Sequence, residues 1–129
     1  MHSEGTVTWA EIDLEAIEAN IREFQNFSGP QVEIIAVVKA NAYGHGAVPV
    51  ARTVLQAGAT RLAVARLVEG IELRQAGLAA PILVMGYTPP DGAALIAEYD
   101  LTPCPVSAEF VQTLSARAQA LGRVIPIHL

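Results

Sequence analysis

Residues 34–46 read I-I-A-V-V-K-A-N-A-Y-G-H-G. An apolar run, Ile34 to Val38, stops at Lys39. A tight turn with Asn41, Tyr43, Gly44, His45 and Gly46 follows, and then an amphipathic helical pattern begins. A short apolar run bounded by turn residues reads as a buried strand. Lys39 therefore falls at the carboxyl end of a buried parallel strand, where α/β proteins place their chemistry. It is also the only lysine in the chain; every other basic residue except the histidines is arginine.

Working outward, the same strand–turn–helix unit repeats. The first strand is expected over Val32 to Val38, with a helix starting near Pro49 and ended by Gly58. A second strand spans Arg61 to Ala65, and its helix runs from Val68 to Ala76, closed by Gly77. A third strand covers Ile82 to Met85, followed by a helix opened by Pro89 and Pro90 with Leu95, Ile96 and Tyr99 facing inward. A short fourth strand lies near Leu101 to Pro105. Ser107 then caps a helix carrying Phe110, Val111, Leu114, Ala118 and Leu121, stopped by Gly122. A fifth strand is expected over Val124 to Leu129. Near-continuous apolar strands separated by helices imply parallel pairing with both faces covered. A doubly wound open sheet and part of an eight-stranded (β/α) barrel both satisfy this pattern.

Two segments stand outside the repeat. Thr6 to Ile12 alternates, with Val7 and Trp9 on one side, and reads as a short extra strand. Asp13 then caps a helix with an apolar stripe of Leu14, Ile17, Ile21 and Phe24, ended at Ser28-Gly29-Pro30. At the far end the last strand has no helix to cover it. The expectation is a truncated barrel, since a complete one needs on the order of 250 residues.

The composition narrows the function. At 52% hydrophobic and 16% charged, the 129 residues form a packed domain, not a disordered one. A net charge of −5 argues against nucleic acid or an anionic membrane as the main partner. One cysteine, Cys104, permits no internal disulfide, so a reducing, cytoplasmic setting is expected. Met1 to Gly5 lacks a charged-then-apolar export pattern, and no apolar run approaches the roughly 20 residues that span a bilayer.

Lysine differs from arginine in that burial can remove its proton, and a neutral amine is the reactant in Schiff-base chemistry. A chain that uses arginine elsewhere but lysine at a strand end points to that chemistry. A phosphate-binding loop is the competing reading, with Lys39 touching phosphate, but G-H-G matches neither G-x-x-x-x-G-K-[ST] nor G-x-G-x-x-G.

The segment A-V-V-K-A-N-A-Y-G-H-G, residues 36–46, resembles the pyridoxal-phosphate attachment segment of the alanine racemases. T-W-A-E-I-D-L-E-A-I-E-A-N-I (8–21) resembles that family's entry strand and first helix. R-L-A-V-A-R-L-V-E-G-I-E-L-R (61–74) and P-I-L-V-M-G (81–86) resemble its second unit and third strand. The resemblance implies the amino-terminal part of a pyridoxal 5'-phosphate-binding (β/α)8 barrel over residues 13–129. It also implies that residues 1–12 form a strand pairing with a carboxy-terminal β domain absent from this chain. Lys39 would carry the cofactor and act as one of two bases at the alanine α-carbon, and Tyr43 would hydrogen-bond the cofactor phosphate. His45 would hold the loop, and Met85 would at most line the pocket wall. The implied reaction interconverts L- and D-alanine, supplying D-alanine for bacterial peptidoglycan, in a head-to-tail homodimer whose partner subunit contributes a tyrosine as the second base. A modified lysine and a substrate-binding arginine would lie beyond Leu129. A related barrel-type racemase or decarboxylase for another amino acid, or a non-catalytic pyridoxal-phosphate carrier, remains the alternative.

Overall fold

The computed structural model describes residues 8–129. It is an α/β structure built on one four-stranded sheet, with strands β1 (Ile35–Val37), β2 (Arg61–Val64), β3 (Ile82–Val84) and β4 (Thr102–Pro103). The strands lie side by side in chain order and every pairing is parallel. Sequential parallel strands with helical returns are the arrangement of a (β/α) barrel wall, not of a doubly wound sheet, whose strand order reverses at a switch point.

The helices follow local rules legible in the chain. Helix α1 (Leu14–Ser28) starts where the Asp13 carboxylate accepts the Ala16 N–H at 3.0 Å, and it stops at Gly29, whose φ is 83°. Following the turn at Lys39–Tyr43, α2 below denotes the helix Ala47–Ala57, α3 Leu67–Gln75, α4 Ala93–Glu98 and α5 Ala108–Leu121. A single 3₁₀ turn, Pro90–Gly92, precedes α4. Ser107 caps α5 by accepting the Phe110 N–H at 3.2 Å, and Gly122 ends it in the left-handed conformation.

The core lies between the sheet and these helices. Leu62, Val64, Ile82 and Val84 are fully enclosed by Val50, Val54, Leu73, Ile96, Leu101 and Phe110. The opposite face of the sheet is open: Ile35 is 39% exposed, Val37 38% and Met85 37%. The expectation that helices or chain cover both faces therefore holds for one face only.

Two further expectations are corrected. Residues 124–129 form no strand; their link to the sheet is one bond, His128 N–H to the Pro103 carbonyl at 3.0 Å. Pro103, Pro105 and Pro126 have no N–H, so β4 and the tail cannot build a regular ladder. Residues 8–12 pair with no strand among the described residues, and the carboxy-terminal β domain expected to receive them is not in this chain; Thr6 and Val7 of that expected strand lie outside the described residues. Finally, Leu95, expected to face inward, is exposed, as are the apolar Phe24, Val111 and Leu121, and Ala93 and Ala97 pack in the core beside Ile96.

Arg74 anchors the end of the sheet remote from Lys39. Its guanidinium donates to four carbonyls, those of Leu78, Ala80, Tyr99 and Asp100, at 2.6 to 2.9 Å. It thus joins α3 to the chain entering β3 and β4. Burial lowers its pKa from the usual arginine value while nearby Asp100 opposes that shift.

Candidate active site

The Val38 N–H donates to the Ala63 carbonyl at 2.9 Å, extending the β1–β2 ladder one residue beyond β1. Lys39 follows immediately, at the carboxyl end of the strand. It is half-buried, and its amine makes no hydrogen bond or ion pair among the described residues.

The backbone after Lys39 is unusual. Ala40, Asn41, Ala42 and Tyr43 have φ values of 51°, 55°, 52° and 56°, so four successive residues that are not glycine adopt the left-handed helical conformation. That conformation costs about 1–2 kcal/mol per residue for L-amino acids. It persists only where the surroundings over-determine it, and such places cluster at functional sites.

The surroundings do so here. The Ala42 N–H donates to the Val38 carbonyl at 2.9 Å, and the Gly46 N–H donates to that of Asn41 at 2.9 Å. Gly44 continues the positive-φ path at 89° without a side-chain penalty. The Asn41 side-chain oxygen accepts the Ala47 N–H at 2.7 Å and so ties the segment to the start of α2. His45 places Nδ1 at 2.9 Å from the Ala42 carbonyl, a loop-holding contact like that anticipated for it. The Ala42 methyl is buried, which pins the middle of the segment.

One side chain from outside the segment also holds it. Glu69 Oε1 accepts the Ala40 N–H at 2.7 Å, while Oε2 accepts the N–H groups of Ala65 at 2.9 Å and Arg66 at 2.8 Å. The geometry follows from the register. Val37 pairs with Ala63, so the residues just past β1 lie beside those just past β2. Glu69, in the first turn of α3, reaches back over the helix start to both. Burial alone would raise the Glu69 carboxyl; the three N–H donors and the Arg66 charge outweigh it and hold the pKa below its usual value.

Ala65 is shared with the third strand. Its carbonyl accepts the Gly86 N–H at 3.0 Å, and a Cβ on Gly86 would lie 2.4 Å from that oxygen. Glycine is required there for β3 to approach β2 so closely. The ends of β1, β2 and β3 are thus fastened together around Ala65 and Glu69.

Lys39 and Tyr43 are brought to one turn at this mouth, and Tyr43 is 61% exposed. Met85 directly follows β3 on the open face, and half-buried Cys104 follows β4. His128 lies at the opposite end of the strands, beside Glu33 and Arg61, away from Lys39. A cavity of about 500 Å³ also lies elsewhere, between α5 and the tail, with Arg123 its only charged lining residue. We assign it no chemistry.

Sequence reasoning singled out Lys39 and Tyr43 but not Glu69. A glutamate three residues after a helix start is the signal that marks such a role, but Arg66 is not a residue type that announces a helix start.

Comparison with known proteins identifies what this wall is similar to. A family model described as alanine racemase, N-terminal domain, matches residues 12–129. An alanine racemase of Desulforamulus reducens is 54% identical over 121 residues, covering 94% of this chain and 33% of that protein. Alanine racemase 1 of Bacillus subtilis is 53% identical over 105 residues, 81% of this chain and 27% of that protein. Among solved structures, an alanine racemase of Clostridium difficile 630 superposes with a TM-score of 0.91 at 39% identity, over 98% of this chain and 34% of that one. The Bacillus anthracis alanine racemase with bound L-Ala-P gives 0.86 at 45% identity, over 95% and 31%. The chain spans about a third of the length of these relatives. With its family match, its parallel wall and its Lys39 mouth, the chain belongs to the alanine racemase N-terminal domain family.

Proposed function

We propose that the protein carrying this chain interconverts L- and D-alanine on pyridoxal 5'-phosphate held by Lys39. The observation that carries the reading is Lys39 itself: the sole lysine, at the strand mouth, with an amine unengaged among the described residues. The donor set suits the cofactor. A primary amine condenses with an aldehyde, and the exposed Tyr43 phenol four residues on is a donor for a phosphate oxygen. When bound, pyridoxal phosphate supplies the electron sink that acidifies the Cα–H bond of an attached amino acid.

The chain's own residues do the rest. The Lys39 amine would take or return the proton on one face of the α-carbon. Tyr43 orients the phosphate, and the left-handed segment fixes both side chains on one short piece of backbone. Racemisation needs a second proton-transfer group on the opposite face. No described residue beside Lys39 fills that role, and we assign it to a tyrosine of a partner subunit in a homodimer. A cytoplasmic role in providing D-alanine for peptidoglycan completes the reading; the single cysteine and the bacterial relatives support it.

The test is Lys39→Ala in the full-length protein. Racemisation should fall by at least about 10³-fold, with partial return on adding a small primary amine. Substantial activity without added amine contradicts the assignment.

A further inference from the structure

Glu69 is the side chain outside the turn that grips the backbone carrying Lys39, and the catalytic reading gives it no part. Its two oxygens divide their work. One holds the Ala40 N–H of the β1 turn; the other holds the Ala65 and Arg66 N–H groups of the β2 turn. We infer that Glu69 is a positioning residue, whose carboxylate locks the left-handed Ala40–Tyr43 segment to the β2–α3 turn and so fixes where Lys39 and Tyr43 are presented. The inference rests on the proposed function of Lys39.

Three observations lead to it. The four-residue left-handed segment is strained, so the bonds that hold it decide whether it is occupied. Ala40 is its first residue and adjoins Lys39, so its N–H is the point at which the direction of the chain after Lys39 is set. The remaining bonds to the segment come from Val38, from the segment itself, or from residues 44–47 directly after it. Glu69, by contrast, lies 29 positions away from Ala40 and is seated on another strand–helix unit. Among the described residues it is the one side chain outside residues 38–47 that hydrogen-bonds the turn.

Both carboxylate oxygens are acceptors, so glutamine cannot replace the group. Whichever way the amide is placed, its NH2 meets an N–H donor head-on. Aspartate keeps the charge but is one methylene shorter and cannot span both turns.

The test uses the full-length protein with Glu69→Gln, with Glu69→Asp should the first fail to fold. Glu72→Gln, an exposed acid on the same helix, is the control. Hydrogen exchange by mass spectrometry on the peptide covering residues 39–46, in cofactor-free protein, should quicken about tenfold in either Glu69 variant. In the reconstituted enzyme kcat should drop about 10- to 100-fold with KM changed by less than about threefold, because misplacing a reacting group lowers the rate of the chemical step. Glu72→Gln should match wild type in both readouts. Exchange and kcat within about twofold of wild type in the Glu69 variants overturn the inference. Faster exchange with unaltered kcat also overturns it, leaving Glu69 a fold-holding role alone. Failure of the wild-type protein to form a reducible adduct at Lys39 would instead bring down the functional reading. The exchange comparison, made without cofactor, would still decide whether Glu69 locks the turn.

Discussion

Glu69 shows why a single side chain can be decisive and yet hard to read from sequence. Lys39 and Tyr43 could be proposed from the sequence because their signals are local: a lone amine after an apolar run, and a phenol in the same turn. The role of Glu69 exists only once β1 and β2 pair in register and bring residues 40 and 69 together. Four-carbonyl capture by Arg74 was hidden for the same reason, since its acceptors come from two separate turns. The Glu69 carboxyl makes a pH prediction. Its folded pKa lies below the usual 4.5, so its contribution is fully present above that value and is lost as pH falls through the lowered one. Denaturant unfolding of wild type and Glu69→Gln should show a stability gap at neutral pH that narrows in acid. A gap that stays constant from pH 7 to about 3 contradicts the account.

Elements followed their local signals where capping and turn chemistry decide them. Asp13, Ser107, Gly29, Gly58 and Gly122 all mark helix ends as their residue types imply. Inward faces were less legible. In the short α4, small Ala93 and Ala97 pack beside Ile96 and leave Leu95 outside, because what a helix buries depends on the neighbour it meets. The fifth strand failed because prolines deny it a ladder. The left-handed turn was wholly hidden: Ala-Asn-Ala-Tyr is no natural left-handed sequence, and tertiary bonds impose the conformation. That strain predicts an outcome. Ala40→Gly keeps the N–H that Glu69 accepts and removes the Cβ clash, so stability should rise by up to about 1 kcal/mol after the greater unfolded-state freedom of glycine is subtracted. Thermal unfolding of the full-length protein measures it; a loss of that size would show that the segment is not strained as described.

For the whole molecule, the parallel order β1-β2-β3-β4 and one covered face make this the wall of a barrel. Strand order could be anticipated from the repeating units, but the open face could not, since an apolar strand reads the same whichever side is packed. With Ile35, Val37 and Met85 bare on that face, residues 1–129 expressed alone should self-associate and bind an apolar dye. Sedimentation and dye fluorescence test this against the full-length protein, which should do neither beyond its own assembly; a monodisperse, dye-silent fragment contradicts it. The central claim concerns Lys39 and needs that complete protein. Borohydride reduction after loading with pyridoxal phosphate, followed by peptide mass mapping, tests it most directly. The account predicts a stable mass increase on the peptide containing Lys39, absent from Lys39→Ala; an unmodified Lys39 peptide, or equal labelling of the variant, would contradict it.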